Sequence, residues 1–315
     1  MMGYSEKYTK IRRSRITNVL IRFIKEKPMG VVGGLIVLLL LFVGIFSPFI
    51  APYEMNDVNL AQRLESPSIN HLLGTDHLGR DTFSRILFGA RISTVIGISA
   101  TLINIIIATT IGATTGFIGG KLDTIVQRFI DAWMSFPSLL ILITVMSLVG
   151  TGIIQIILVL GISGGVASSR VVRSAVIGIR ENLYITASKA IGVSTFKTLL
   201  NHVVPNILAP IIIIFSTTIG SVILSEAALS FLGFGLPPDV ASWGGMLSAE
   251  GRQYMELAPR LALWPGFCLT IVVWGLNIFG DALRDILDPR LRGGIGRLDS
   301  HKASKLKITK QKASL

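Results

Sequence analysis

Five long stretches of this sequence contain no charged residue: 28–53, 92–120, 132–169, 203–225 and 261–280. A helix needs about 20 consecutive apolar residues to cross a hydrocarbon layer roughly 30 Å thick. Inside lipid every backbone N–H and C=O must also be satisfied within the protein, which leaves helices and closed barrels as the spanning structures. A buried core helix accounts for one such run but not for five. The stretch 132–169 is too long for one crossing, and Gly150-Thr151-Gly152 offers a turn in its middle. The expected fold class is therefore an all-α polytopic membrane protein with six transmembrane helices. Composition agrees, because only 15% of the residues are charged, against about 25% in soluble domains.

The chain carries a net charge of +12, and its distribution separates topology from nucleic-acid binding. Six crossings put both termini on one side. Arg63, Arg80, Arg85, Arg91, Arg252 and Arg260 fall on the opposite side, and the rest of the 30 Lys and Arg residues share the side of the termini. Basic loops stay in the cytoplasm. Both termini are thus expected to be cytoplasmic in a multi-pass plasma (inner) membrane protein that contacts lipid and no nucleic acid. The first apolar run exceeds the core of a secretory signal and lacks a clean small-x-small site, so it reads as an uncleaved first helix. Cys268 is alone within an apolar run, which excludes a disulfide framework or a thiol metal site.

The expected organisation has five parts. Residues 1–27 form a basic segment, in which Val19, Leu20, Phe23 and Ile24 suggest an amphipathic surface helix, with a plain solvated tail as the alternative. Residues 28–50 form the first crossing. Residues 51–91 form an outer loop with its own surface helix, started at Thr82 by Asp81 as cap after turns at Gly74 and Gly79. Residues 92–283 form a five-helix core, and residues 284–315 a basic tail, disordered from 297 on. The other outer loop, near 233–260, carries Pro237-Pro238 and "SWGGML" and reads as turns.

One inner loop, residues 180–204, is longer than a connection requires. It has no proline, and Tyr184, Ala187, Ser188 and Ile191 recur at helical spacing, as do Phe196, Leu199, Leu200 and Val203 beyond Gly192. Two short helices hinged at Gly192 are expected, with Asn182 or Thr186 capping the first and Ser194 the second. Pro205 then permits a kink on re-entry. The apolar faces need burial, either on the inner ends of the bundle or on a cytoplasmic partner.

The loop resembles the signature of membrane subunits of ABC importers, written EAA, three residues, G, nine residues, I-x-L-P. Here it reads Thr186-Ala187-Ser188, Gly192 and Val204-Pro205, with Thr186 in place of the glutamate and His202 in place of the isoleucine. Further segments appear in order: "LGTDHLGRDTFSRILFGARIS", "HVVPNILAP", "EAALSFLGFGLPP", "SWGGML" and "NIFGDALRDILDPRLRG". Over residues 17–293 the chain is similar to the second permease subunit of dipeptide, oligopeptide and nickel importers. The resemblance implies a type I ABC importer permease fold and a coupling helix docked on an ATP-binding subunit through Thr186, Ala187, Ser188, Ala190, Gly192 and Phe196. It also implies a homologous second permease, two ATP-binding subunits that hold ATP and Mg, and an extracellular or periplasmic solute-binding protein. Di- or oligopeptides are the implied solutes, with a nickel or metal chelate as the alternative.

This chain is expected to be a transport subunit without cofactor and not an enzyme. Its one Gly-Lys pair, Gly120-Lys121, lacks the first glycine and the Ser/Thr of a phosphate-binding loop. An ion-coupled secondary transporter would place ionisable residues at mid-membrane, and the apolar runs hold none. His71 and His77 share an outer loop, where solvated side chains are the simpler reading than nickel ligands. Thr101, Asn104, Thr109, Thr110, Thr144, Gln155, Ser163, Ser216, Thr217 and Ser221 either line a solute path or bond between helices. Ser225, Glu226 and Ser230, in "SEAALS", are the expected groups near an outer gate, with a surface salt bridge as the other reading for Glu226.

Overall fold

In the computed structural model of the chain, residues 23–287 are described. The expected surface helix carrying Val19 and Leu20, and the tail from residue 288 on, lie outside that range. Five helices are long and apolar enough to span a membrane: α1 (Pro28–Ile50), α2 (Thr82–Ile118), α5 (Ile153–Arg180), α8 (Leu208–Phe231) and α9 (Arg260–Leu287). Between α2 and α5 lie α3 (Gly120–Met134) and α4 (Ser138–Val149), bent by 88° relative to each other. The inner loop forms α6 (Leu183–Ala190) and α7 (Thr195–Thr198), the latter continuing through a π-helical turn at Leu199–Val203.

Glycine packing fixes the helix directions. Along α2 and α5 in parallel, Gly161 meets Ile103, Gly165 meets Ile107, Gly112 meets Ser169 and Val172, and Gly116 meets Arg173 and Val176. Two parallel neighbours require the chain to return between them, which makes α3 and α4 together the third of six crossings. By the same test α1 runs antiparallel to α9, with Gly30 on Ala282 and Gly33 on Phe279. The α8–α9 pair is antiparallel too, with Gly220 on Leu276 and Gly280 on Ser216. Pro28, Leu287 and the α6–α7 insert therefore share one side. In lipid, helices gain no hydrophobic free energy by meeting, so close approach and dispersion contacts hold them. A Cβ at Gly112 would lie 2.5 Å from the Ser169 carbonyl oxygen, and one at Gly33 2.6 Å from that of Gly275.

Two expectations about boundaries need correction. The surface helix at residues 82–91 is not a separate element, since α2 is one helix of 37 residues. At 1.5 Å per residue it is about 55 Å long, so it projects well beyond the lipid, and no proline interrupts it at the water boundary. Nor is the third crossing a straight helix. Pro137 has no N–H and disfavours helical backbone at Phe136, so the chain breaks at Ser135-Phe136-Pro137 and the stretch read as an inner loop, 121–131, is helical. Asp123 and Asp131 on α3 pair with Arg173 and Arg170 of α5, the first through two bonds of 2.6 and 2.5 Å.

At the opposite end, the loop after α1 is an ordered cap. Asp81 holds the α2 N-terminus by accepting from Ser84 N at 2.7 Å, as expected. Asp76 accepts from Arg80 Nε at 2.6 Å and from the backbone N–H groups of Leu78 and Arg80. The second outer loop tucks inward. Trp243 is buried and donates from Nε1 to the Ile86 carbonyl at 3.2 Å.

Candidate functional site

The insert has one seated face and one free face. Ile185 is fully buried, in a cluster with Phe117, Val172, Val176, Leu199 and Val203. Ser188 is buried as well, its hydroxyl 3.3 Å from that of Thr198, which ties α6 to α7. Lys189 Nζ lies 4.9 Å from the Phe117 ring centroid. The turn between the helices uses Gly192 at φ +81°, a conformation that side-chain-bearing residues rarely adopt. Ser194 caps α7 by accepting from Lys197 N, whereas Asn182 occupies the N-cap of α6 without a side-chain cap bond and Thr186 lies inside the helix.

Thr186, Ala187, Ala190, Gly192 and Phe196 are all exposed, and Phe196 also borders a groove along Thr109, Thr110 and Ala113 of α2. Phe196 is 70% exposed, and Leu183 and Ile191 accompany the set at 87% and 80%. Of the six residues expected to dock, Ser188 is on the inner face, Phe196 stands at the edge of a groove against α2, and the other four are on the outer face. The expected apolar face of Tyr184, Ala187, Ser188 and Ile191 is divided the same way, and its buried anchor is Ile185, outside that set. The bundle and a partner thus do not compete for one face, because the insert has a face for each.

A second feature is a cavity of about 360 Å³ between α2, the α3–α4 break, α5 and α8. Its lining is neutral and includes Asn104, Trp133, Phe136, Ser163, Ser221 and Ser225. Of the ten intramembrane polar residues singled out in the sequence, Asn104, Ser163 and Ser221 reach it. Several others are satisfied by their own helix: Thr110, Thr144 and Thr217 donate to the Ile106, Leu140 and Ile213 carbonyls. Thr101 and Thr109, away from the cavity, have a buried hydroxyl without a partner among the described residues, and Asn104 differs in reaching the cavity while 1% exposed with neither amide atom partnered. Nothing in the sequence separates it from the other nine, since its isolation depends on what α5 places opposite it.

The three residues expected at an outer gate divide, one facing the cavity and two bonded to each other. Ser225 faces the cavity. Glu226 and Ser230 are buried, with Ser230 Oγ donating to Glu226 Oε1 at 2.8 Å. The second outer loop covers them so tightly that a Cβ on Gly244 would lie 2.3 Å from the Ala227 carbonyl oxygen. Glu226 therefore makes no surface salt bridge. The outer histidines are not simply solvated either. His71 is buried, 3.0 Å from Asp81 through Nδ1 and stacked on Tyr53. His77 stacks on Tyr254, and burial pushes its imidazole below the ordinary value, with Arg80, Arg85 and Arg63 reinforcing the effect against the pull of Asp76. Among the described residues, no group of three or more His, Cys, Asp or Glu could hold a metal ion.

Residues 108–293 match the family described as the binding-protein-dependent transport system inner membrane component. Residues 14–67 match the N-terminal TM domain of oligopeptide transport permease C. The chain is 37% identical over 269 residues to the dipeptide transport system permease protein DppC of Alkalihalophilus pseudofirmus, covering 85% of this chain and 88% of that one. It is also 37% identical over 290 residues to the oligopeptide transport system permease protein OppC of Bacillus subtilis, covering 92% and 94%. With the glutathione transport system permease protein GsiD of Pectobacterium atrosepticum, identity is 37% over 272 residues, covering 86% and 90%. Among solved structures, a chain from an inward-facing form of the MetNI methionine ABC transporter superposes with a TM-score of 0.52 at 17% identity. That superposition covers 65% of this chain and 96% of the other.

Proposed function

The chain belongs to the family of binding-protein-dependent transport system inner membrane components, and from that membership we propose that it is the permease through which an ATP-driven importer brings peptides into the cell. It pairs with a homologous permease to complete the path, two ATP-binding subunits hold ATP and Mg, and a solute-binding protein outside delivers the peptide. The termini and the insert face the cytoplasm, where the basic residues concentrate.

The observation that carries this reading is the two-faced insert. Its free face holds Leu183 and Ile191 in the open, and an apolar patch of that kind on a folded protein is a contact surface. Small residues at Ala187 and Ala190 let a partner approach closely. Its seated face is anchored by Ile185 to the cluster built from α2 and α5. Closely packed elements move as rigid bodies, so a displacement imposed on α6 passes to α2 and α5, two walls of the cavity. ATP binding thereby rocks the bundle outward, and hydrolysis resets it.

Names of the relatives favour peptides, and no observation favours a nickel chelate. The test is uptake of labelled di- and oligopeptides into proteoliposomes that hold the complete importer, with the binding protein outside and ATP at the face of the ATP-binding subunits. Uptake that needs both ATP and the binding protein supports the reading. Uptake driven by an ion gradient without ATP contradicts it.

A further inference from the structure

The cavity between α2, α4, α5 and α8 bears on what this chain's wall recognises, given the peptide reading above on which the inference rests. Its lining includes no Asp, Glu, Lys, Arg or His, so it offers no charge to complement a particular side chain or terminus. It does offer neutral hydrogen-bonding groups on three helices: Asn104 on α2, Ser163 on α5, and on α8 Ser225 together with Ser221, whose hydroxyl donates to the Thr218 carbonyl at 2.7 Å and keeps its lone pairs for accepting.

Asn104 is the distinctive member. Its carboxamide has two donors and an acceptor, and both Nδ2 and Oδ1 are sealed from water with no partner among the described residues. Buried polar groups are ordinarily hydrogen-bonded, and one that is not asks for an explanation. Gly164 packs directly against it, since a Cβ there would lie 2.4 Å from Asn104 Nδ2. Gly161 and Gly165, on the neighbouring face of α5, serve a different end by packing against Ile103 and Ile107. Gly164 faces the amide and lines the cavity with it.

We propose that Asn104, with the hydroxyls of Ser163, Ser221 and Ser225, forms a subsite for a peptide backbone amide on this chain's wall of the translocation path. A carboxamide is self-complementary to a peptide group, accepting from its N–H and donating to its C=O. A neutral wall of this kind engages what every peptide shares and ignores what distinguishes one from another. Selection among peptides then rests with the binding protein, and Trp133 and Phe136 at the α3–α4 break supply apolar surface for side chains of any kind.

The test uses the complete importer in proteoliposomes and the labelled peptide that the wild type takes up fastest from a panel of two to five residues. Asn104→Leu keeps the volume and removes both hydrogen-bonding atoms. The expected result is uptake at subsaturating peptide reduced about tenfold, the equivalent of about 1.4 kcal/mol, with thermal stability of the assembled complex equal or higher. Gly164→Ala, which crowds the amide without removing it, is expected to lower uptake by a smaller factor. Full uptake by Asn104→Leu overturns the subsite, because the amide is then idle. A fall in stability that parallels the fall in uptake also overturns it, because Asn104 is then an interhelical bond. A wild type that hydrolyses ATP yet takes up no peptide from the panel overturns the peptide reading itself, which separates that failure from failure of the subsite.

Discussion

At the scale of single residues, Asp81 shows how one carboxylate fixes the outer cap. One oxygen closes the α2 N-terminus on Ser84 N and the other meets His71 Nδ1. Asp81→Ala removes an N-cap worth about 0.5–2 kcal/mol and leaves a buried imidazole unpaired at about 1–3 kcal/mol. The variant should unfold several degrees earlier in a thermal scan of the purified complex, whereas Asp81→Asn, which still caps, should lose less than half as much. Glu226 makes the opposite case. The sequence places it near a gate, and the structure buries it beneath the second outer loop with Oε1 accepting from Ser230. Glu226→Gln preserves that bond and should leave peptide uptake within about twofold of wild type, the scale of a lost fraction of one neutral hydrogen bond; a large loss would return the residue to the path. The contrast explains what was legible. The cap is local, an Asp beside the first turn it serves, and can be read from sequence. Glu226 is buried by Gly244 and its neighbours, whose arrival over α8 no periodicity announces.

At the scale of elements, the charge-free runs located the crossings because lipid exposure is written in each segment alone, without reference to its neighbours. Breaks and continuations were harder to see. Nothing local marks residue 91 as the middle of a helix, and a hydropathy window passes over Pro137 because the residues around it remain apolar. Leu142 and Met146 pack α4 into the apolar core, while α3 is held by an ion pair, Asp123 binding Arg173 on α5 through two oxygens, both side chains being partly buried. Asp123→Arg should cost about 1.5–3 kcal/mol, the range for hydrogen bonds to charged groups, and lower the yield of assembled complex. The double exchange Asp123→Arg with Arg173→Asp restores the pair with the net charge unchanged. It should recover most of that yield, as measured by size-exclusion chromatography in detergent. A double variant no better than the single one would show that the bridge is incidental.

At the scale of the whole molecule, six crossings, a parallel α2–α5 core and an insert on the same side as Pro28 and Leu287 combine into a lever between that face and a cavity. The sequence led to that insert through its length and its glycine hinge but misjudged its burial. Ile185, not the expected Tyr184–Ile191 face, carries the anchor. The central claim is that the free face of α6 transmits the partner's movement. The most direct measurement is solute-stimulated ATPase activity of the reconstituted importer with Ala187→Trp. That position is exposed and helical, whereas any side chain at Gly192 would be strained by its φ of +81°. Overpacking a fitted surface costs about 1–3 kcal/mol, so the variant should assemble, keep its basal ATPase rate and lose about tenfold of the stimulation. Stimulation unchanged from wild type would contradict the claim and place the coupling on another cytoplasmic element.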